Sequence, residues 1–195
     1  MMSDRWYRKA SAEEPLTQGD IILSCPVVGW RPDVRLDLSS GQEELPVSQL
    51  LDAQRVRVIV MTQACDLEHA KVRNVVLCPL YTLGTYRAAW ESAQRSKGQN
   101  PTAKAWKRFC DDICDGAIWN LSLLNAEDVG GIAIEHSVVD FHEVFTVPRQ
   151  VLESLLKARN QDRPQLLPPY REHLSQSFAR FFMRVGLPTP VTKAW

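Results

Sequence analysis

The most conspicuous group of reactive side chains is the run Thr62-Gln63-Ala64-Cys65-Asp66-Leu67-Glu68-His69. A cysteine becomes a nucleophile when a neighbouring base and a depressed pKa hold it as the thiolate. His69, oriented by Asp66, could supply that base, and Thr62 adds a hydroxyl. The same residues also suit a structural role, with a buried thiol at a strand end and Asp66 capping a turn. Spacing alone leaves both readings open.

Metal chemistry has weaker support. Cys25, Cys65, His69 and Cys78 fall near proposed strands and could converge, but no Cys-x-x-Cys pair of the kind zinc sites use is present. Cys110 and Cys114 would share a helix face, where an apolar stripe already accounts for Cys110. We therefore expect no metal. His136 and His142 flank Asp140 on an extended segment, and they are too far apart to act together unless the strand bends. No Walker loop, dinucleotide fingerprint, Gly-x-Ser-x-Gly elbow or His-Glu-x-x-His motif appears, and no organic cofactor is expected.

A cationic stretch is the next candidate. Arg87, Arg95, Lys97, Lys104, Lys107 and Arg108 lie among few acids, with Trp90 and Trp106 interleaved. Bases and aromatic rings in that mixture suit nucleic-acid phosphates and stacked nucleobases. The plainer alternative turns the two Trp rings inward and leaves the cations as a wetted face. Near the C-terminus, Tyr170, Leu174, Phe178 and Phe181 form one helical stripe, widened by Phe182 and Val185. Phe181 and Phe182 point about 100° apart on a helix, so a single flat surface cannot bury both. Either a deep groove of the same chain takes them or a partner does, which makes Phe178 and Phe182 candidate interface residues.

The elements that must position these groups follow from hydrophobic periodicity. Residues 1–15 read as a loose leader. Asp20–Val28 reads as a buried strand, 29–46 as a long loop and 45–53 as a short helical turn. Arg55–Thr62 is the strongest strand, with Val56, Val58 and Val60 on one face and Arg57, Ile59 and Met61 on the other. Asn74–Leu80 is the next, ended by Pro79 and paired antiparallel with it. Helices are expected over about 85–97 and 101–115, the second opened by Pro101 and closed before Gly116. Strand character returns over 131–147. Helices then occupy 148–159 and 169–185, separated by a Pro-rich break at 163–169.

The 195 residues are 45% apolar and 24% charged with zero formal net charge, which suits one domain with a substantial core. We divide it into a β core of about 18–80 and 131–160, a helical insert of about 84–118 and a C-terminal helix of about 168–186. Zero net charge leaves any nucleic-acid contact to a local patch. No apolar run is long enough to span a bilayer, and the polar, basic start at Met1–Ala10 does not read as a secretory signal. With five cysteines in no tight framework, the expectation is a cytoplasmic protein with reduced thiols.

Several of these elements resemble the PemK/MazF-like toxins. Gln18-Gly19-Asp20-Ile21-Ile22 resembles the start of the family's first strand. Val58–Met61, a polar loop and Val75-Val76-Leu77-Cys78-Pro79-Leu80 resemble its second and third strands. Ser137-Val138-Val139-Asp140 through Thr146-Val147, with a helix after it, resembles its closing strand and helix. The matches cover about a third of the chain. The resemblance implies an α+β fold, a small SH3-like/PemK-like antiparallel β barrel with added helices, and a metal-independent endoribonuclease in a bacterial toxin or defence module. Family members use an arginine ahead of the second strand and a threonine or serine in the loop after it; Arg57 and Arg73 join Thr62, Cys65, Asp66 and His69 of the polar run as the candidate catalytic residues. There are departures. Arg31-Pro32 lies far ahead of the second strand, Arg55 and Arg57 are out of register, and Val72 stands where the family has a hydroxyl. The helical insert and last helix have no counterpart. A non-catalytic subunit that keeps the barrel and binds a protein partner or a second copy is the alternative, with nucleic acid as a further possible partner and no membrane.

Overall fold

The computed structural model describes residues 5–31 and 47–183, and Pro32, Gly41, Arg184 and Val185 lie outside them. The described residues form a mixed α/β structure with six helices and antiparallel sheets. The strongest strand is longer than expected: β3 runs Leu51–Val60. It pairs on one side with β2 (Ile21–Trp30) and on the other with β4 (Asn74–Thr82). As its alternation predicts, Val58 and Val60 enter one core and Ile59 and Met61 the other. The first core contains Ile22, Val75, Leu77, Leu152 and Leu156; the second contains Ile21, Cys78, Leu80, Phe141 and Leu174. The sheet is thus covered on both faces.

Four expectations about strands need correction. Pro79 does not end β4: it sits opposite Val58, and the strand continues to Thr82 by changing partners. Its first half pairs with β9 (Phe145–Pro148) and its last residues with β8 (Ser137–Asp140), which in turn pairs with β5 (Leu121–Leu124). The expected strand 131–147 is therefore three pieces, the first being β7 (Ala133–Ile134), paired with β6 (Glu127–Asp128). The six-stranded sheet runs β2-β3-β4-β8-β5 with β9 beside β4, and no sheet of the described residues closes into a barrel.

The N-terminal leader and the Pro-rich break are the other two corrections, and they correct each other. Tyr7–Ala10 is β1, and it pairs antiparallel with β10, Arg163–Leu166. Arg163 fixes the pair. Its guanidinium donates to Asp20 Oδ2 at 2.8 Å and to the carbonyls of Ser11, Glu14 and Pro15 at 2.8–2.9 Å. Gln165 donates to Asp20 Oδ1 at 2.7 Å. Gly19 precedes this network at φ +85°, where a Cβ would lie 3.2 Å from Leu166 Cβ and carbonyl oxygen, so the close approach requires glycine.

Helices occupy the remaining positions close to expectation. After a short α1 (Val47–Leu50) and α2 (Ala64–Glu68), the insert contains α3 (Leu83–Ser96) and α4 (Ala103–Cys114). Thr82 and Thr102 cap the insert helices by accepting the amides of Thr85 and Ala105. Helix α5 (Arg149–Arg159) starts after Pro148 and ends at Asn160 in the left-handed region. Helix α6 (Tyr170–Phe182) packs its Leu174 face on the second core. No described helix is long and apolar enough to cross a membrane.

Candidate functional site

The polar run after β3, expected as a loop, folds as the short helix α2, and Cys65 is not the buried thiol of the structural alternative. Thr62 is buried, and its Oγ1 accepts the Val76 amide at 2.7 Å, stitching the start of β4 to the end of β3. Cys65 is exposed on α2, and its hydrogen-bond partner is the Asp66 carboxylate at 3.8 Å. Asp66 lies 4.0 Å from Lys71. The His69 backbone closes α2 by donating to Cys65 O, and its imidazole pairs with no described side chain. The thiol, carboxylate and imidazole therefore do not form a relay. What anchors this turn was not singled out from the sequence: Gln18 Nε2 donates to both Met61 O and Ser175 Oγ at 3.2 Å, tying α6 to the end of β3.

The four residues considered for metal do not meet either. Cys25 and Cys78 are buried in different cores, and burial pushes their thiols up to about 11 and about 12. No group of three potential ligands exists among the described residues. His142 and Asp140 do approach, because the chain bends after β8: Asp140 Oδ1 accepts the His142 amide at 2.9 Å and lies 3.4 Å from its Nδ1.

The cations of the insert are largely matched by acids. Arg87 and Arg95 both bond Glu91, at 2.9 and 3.0 Å, Lys107 bonds Asp111 at 2.7 Å, and Arg108 lies 4.0 Å from Asp112. Lys97 and Lys104 have no ion pair among the described residues. Trp90 packs on Trp106 and Phe109 at centroid distances of 5.3 and 5.7 Å, and Trp106 is nearly buried. The rings join α3 to α4. Arg73 lies elsewhere, in an open groove with Lys71, Asn74 and Arg149 at the start of α5.

Arg57 sits at an unusual place. Ile22 pairs with Val58 and Cys25 with Val56, so Leu23 and Ser24 together oppose Arg57 in a β-bulge, with Ser24 at φ 53°. Arg159 braces the bulge from the end of α5, donating to Leu23 O and Ser24 O at 2.5 and 2.6 Å. Arg57 Nη1 is buried without a hydrogen-bond partner among the described residues.

Beyond the bulge, β2 and β3 leave the sheet as a two-stranded ribbon, because β4 pairs with β3 only from Val58 onward. One ribbon face continues the Ile59 side and carries Pro26, Val28, Trp30, Leu51, Ala53, Arg55 and Arg57. Val28 is 61% and Trp30 71% exposed. A second exposed apolar group ends α6. Phe178 packs edge-on against Phe141 at 5.5 Å, and Phe181 also faces Phe141, whereas Phe182 is 60% exposed. The neighbouring pair Phe181 and Phe182 thus divides between core and surface. Comparison of the chain with family models, with curated proteins and with solved structures finds no match.

Proposed function

We propose that this chain is a protein-interaction subunit that keeps a PemK/MazF-like β core without the ribonuclease chemistry. The observation carrying this reading is the ribbon: a tryptophan and a valine stand in solvent on a β face that also bears two arginines, and exposed apolar patches of this kind mark binding surfaces. The use of Thr62 by the Val76 amide, the His69 imidazole without a side-chain partner among the described residues, and the paired charges of the insert agree with it. The strand order β2-β3-β4 with β9, followed by α5, supports kinship with the small barrel of those toxins.

The test is incubation of purified protein with long RNA, with and without EDTA. The expected result is intact RNA in both. Metal-independent cleavage that disappears in Arg57→Ala or Arg73→Ala would overturn the reading in favour of the endoribonuclease, as a component of a toxin or defence module.

A further inference from the structure

The edge of β3 before Val58, where no described strand pairs, has a defined hydrogen-bonding phase. Arg31 donates its amide to Leu50 O at 2.9 Å, and antiparallel ladders alternate bonded and non-bonded pairs. Counting from that bond, Cys25/Val56, Val27/Gln54 and Gly29/Asp52 are the bonded pairs of the ribbon. Pro26, which has no amide hydrogen, falls in a non-bonded pair with Arg55, as it must. The amides and carbonyls of Leu51, Ala53 and Arg55 therefore point away from β2. At the other end of β3 the same outward phase is used by β4: Met61 donates to Val76 O at 2.9 Å. Past Val58, however, β4 turns to β8, and the place beside residues 51–57 holds no strand of the described chain.

We propose that this edge, Leu51 to Arg57, accepts an extended acidic segment of a partner protein as an added strand; this rests on the interaction reading above. Charge selects the partner. The side chains flanking the edge on the ribbon's apolar face are Leu51, Ala53, Arg55 and Arg57, with no acid among them, and Arg55 is exposed, reaching only Ser24 O at 3.4 Å among the described residues. A second copy pairing the same edge about Gln54 would set Arg55 opposite Ala53 and Arg57 opposite Leu51 of its twin. The two Arg55 side chains would then be diagonal neighbours across the seam with no acid on that face, an arrangement that gains no ion pair. An incoming strand with carboxylates beside Arg55 and Arg57 and an apolar residue beside Leu51 instead gains main-chain bonds, ion pairs and an apolar contact with Leu51. Because strand neighbours on one face are two residues apart, the segment should carry two acids at spacing two and an apolar residue four positions from the nearer acid.

The experiment is selection of random peptides displayed on phage against the full chain, followed by measured affinities of the enriched peptides. The expected result is enrichment of that acidic pattern, with binding weakened at least tenfold by Arg55→Glu and by Ala53→Pro, and with an unchanged melting temperature. Ala53→Pro removes an outward amide and no ladder bond. Peptides lacking acids, or peptides insensitive to both variants, overturn the edge proposal; if their binding is lost in Phe182→Ala, the interaction reading survives at the end of α6. Failure to enrich any peptide overturns the edge proposal as well, as does a dimer dispersed by Ala53→Pro. RNA cleavage in the parallel assay separately overturns the interaction reading.

Discussion

Thr62 illustrates how a residue type that could do chemistry is consumed by structure. Its hydroxyl accepts the Val76 amide at 2.7 Å where β3 gives way to the turn. Thr62→Val keeps the shape and removes the acceptor, leaving a buried amide unpaired. Such a loss costs about 1–3 kcal/mol, to be read from denaturant unfolding. The two phenylalanines proposed as interface residues should separate in the same assay. Phe178 packs on Phe141 and belongs to the second core, so Phe178→Ala is expected to cost about 3 kcal/mol, the lower end for a half-buried ring. Phe182 is mostly in solvent, and Phe182→Ala should stay within about 0.5 kcal/mol of the parent.

Among the elements, the β1–β10 pair depends most on a few polar side chains. Arg163 and Asp20 are buried together, and burial pushes the Asp20 carboxyl up while Arg163, Thr17 and Gln165 pull against it. Arg163→Ala leaves the carboxylate and three carbonyls without their donor. Breaking one side of a buried pair costs about 3–5 kcal/mol, and here amide exchange should accelerate first over residues 7–16. The same segment has a pH dependence of known sign. Glu14 accepts from Arg8 and from the Ser11 amide, which hold its carboxyl down at about 2, below the ordinary 4.5. A depressed carboxyl stabilises the fold above its unfolded pKa, and that contribution is lost as pH falls from about 4.5 towards 2. Glu14→Gln should flatten the fall of melting temperature in that window, by a small amount because the pair is exposed.

For the molecule as a whole, charge is balanced globally and also locally. Net charge is zero, and four of the six insert cations face acids one helical turn away. Helix-surface pairs of this kind neutralise the field that would concentrate a polyanion. Binding to long RNA at physiological salt is therefore expected to be no tighter than non-specific, about 10⁻⁴ M or weaker, and nearly unchanged when Lys97 and Lys104 are replaced by Gln. Filter binding across a salt series measures both statements.

Elements whose cause is local were legible in the chain. The alternation of Val56, Val58 and Val60 against Ile59 and Met61 defined β3 and its two-sided burial. Pro101 and Gly116 bracketed α4, and the phenylalanine spacing put Phe181 and Phe182 on different sides of α6. Features that depend on partners far apart in the chain were not. Residues 7–10 and 163–166 each look irregular, since neither has a local pattern; they become strands by pairing with each other across more than 150 residues. Pro79 suggests an end because proline cannot donate, but a strand that changes partners at that point tolerates it. Cys65, Asp66 and His69 are close in sequence, yet side-chain direction on a short helix, which spacing does not fix, pairs Cys65 with Asp66 and leaves the His69 imidazole out of the contact. The open edge of β3 was illegible for the same reason. A strand's sequence carries the alternation of its faces, whereas whether its edge is occupied depends on where β4 goes.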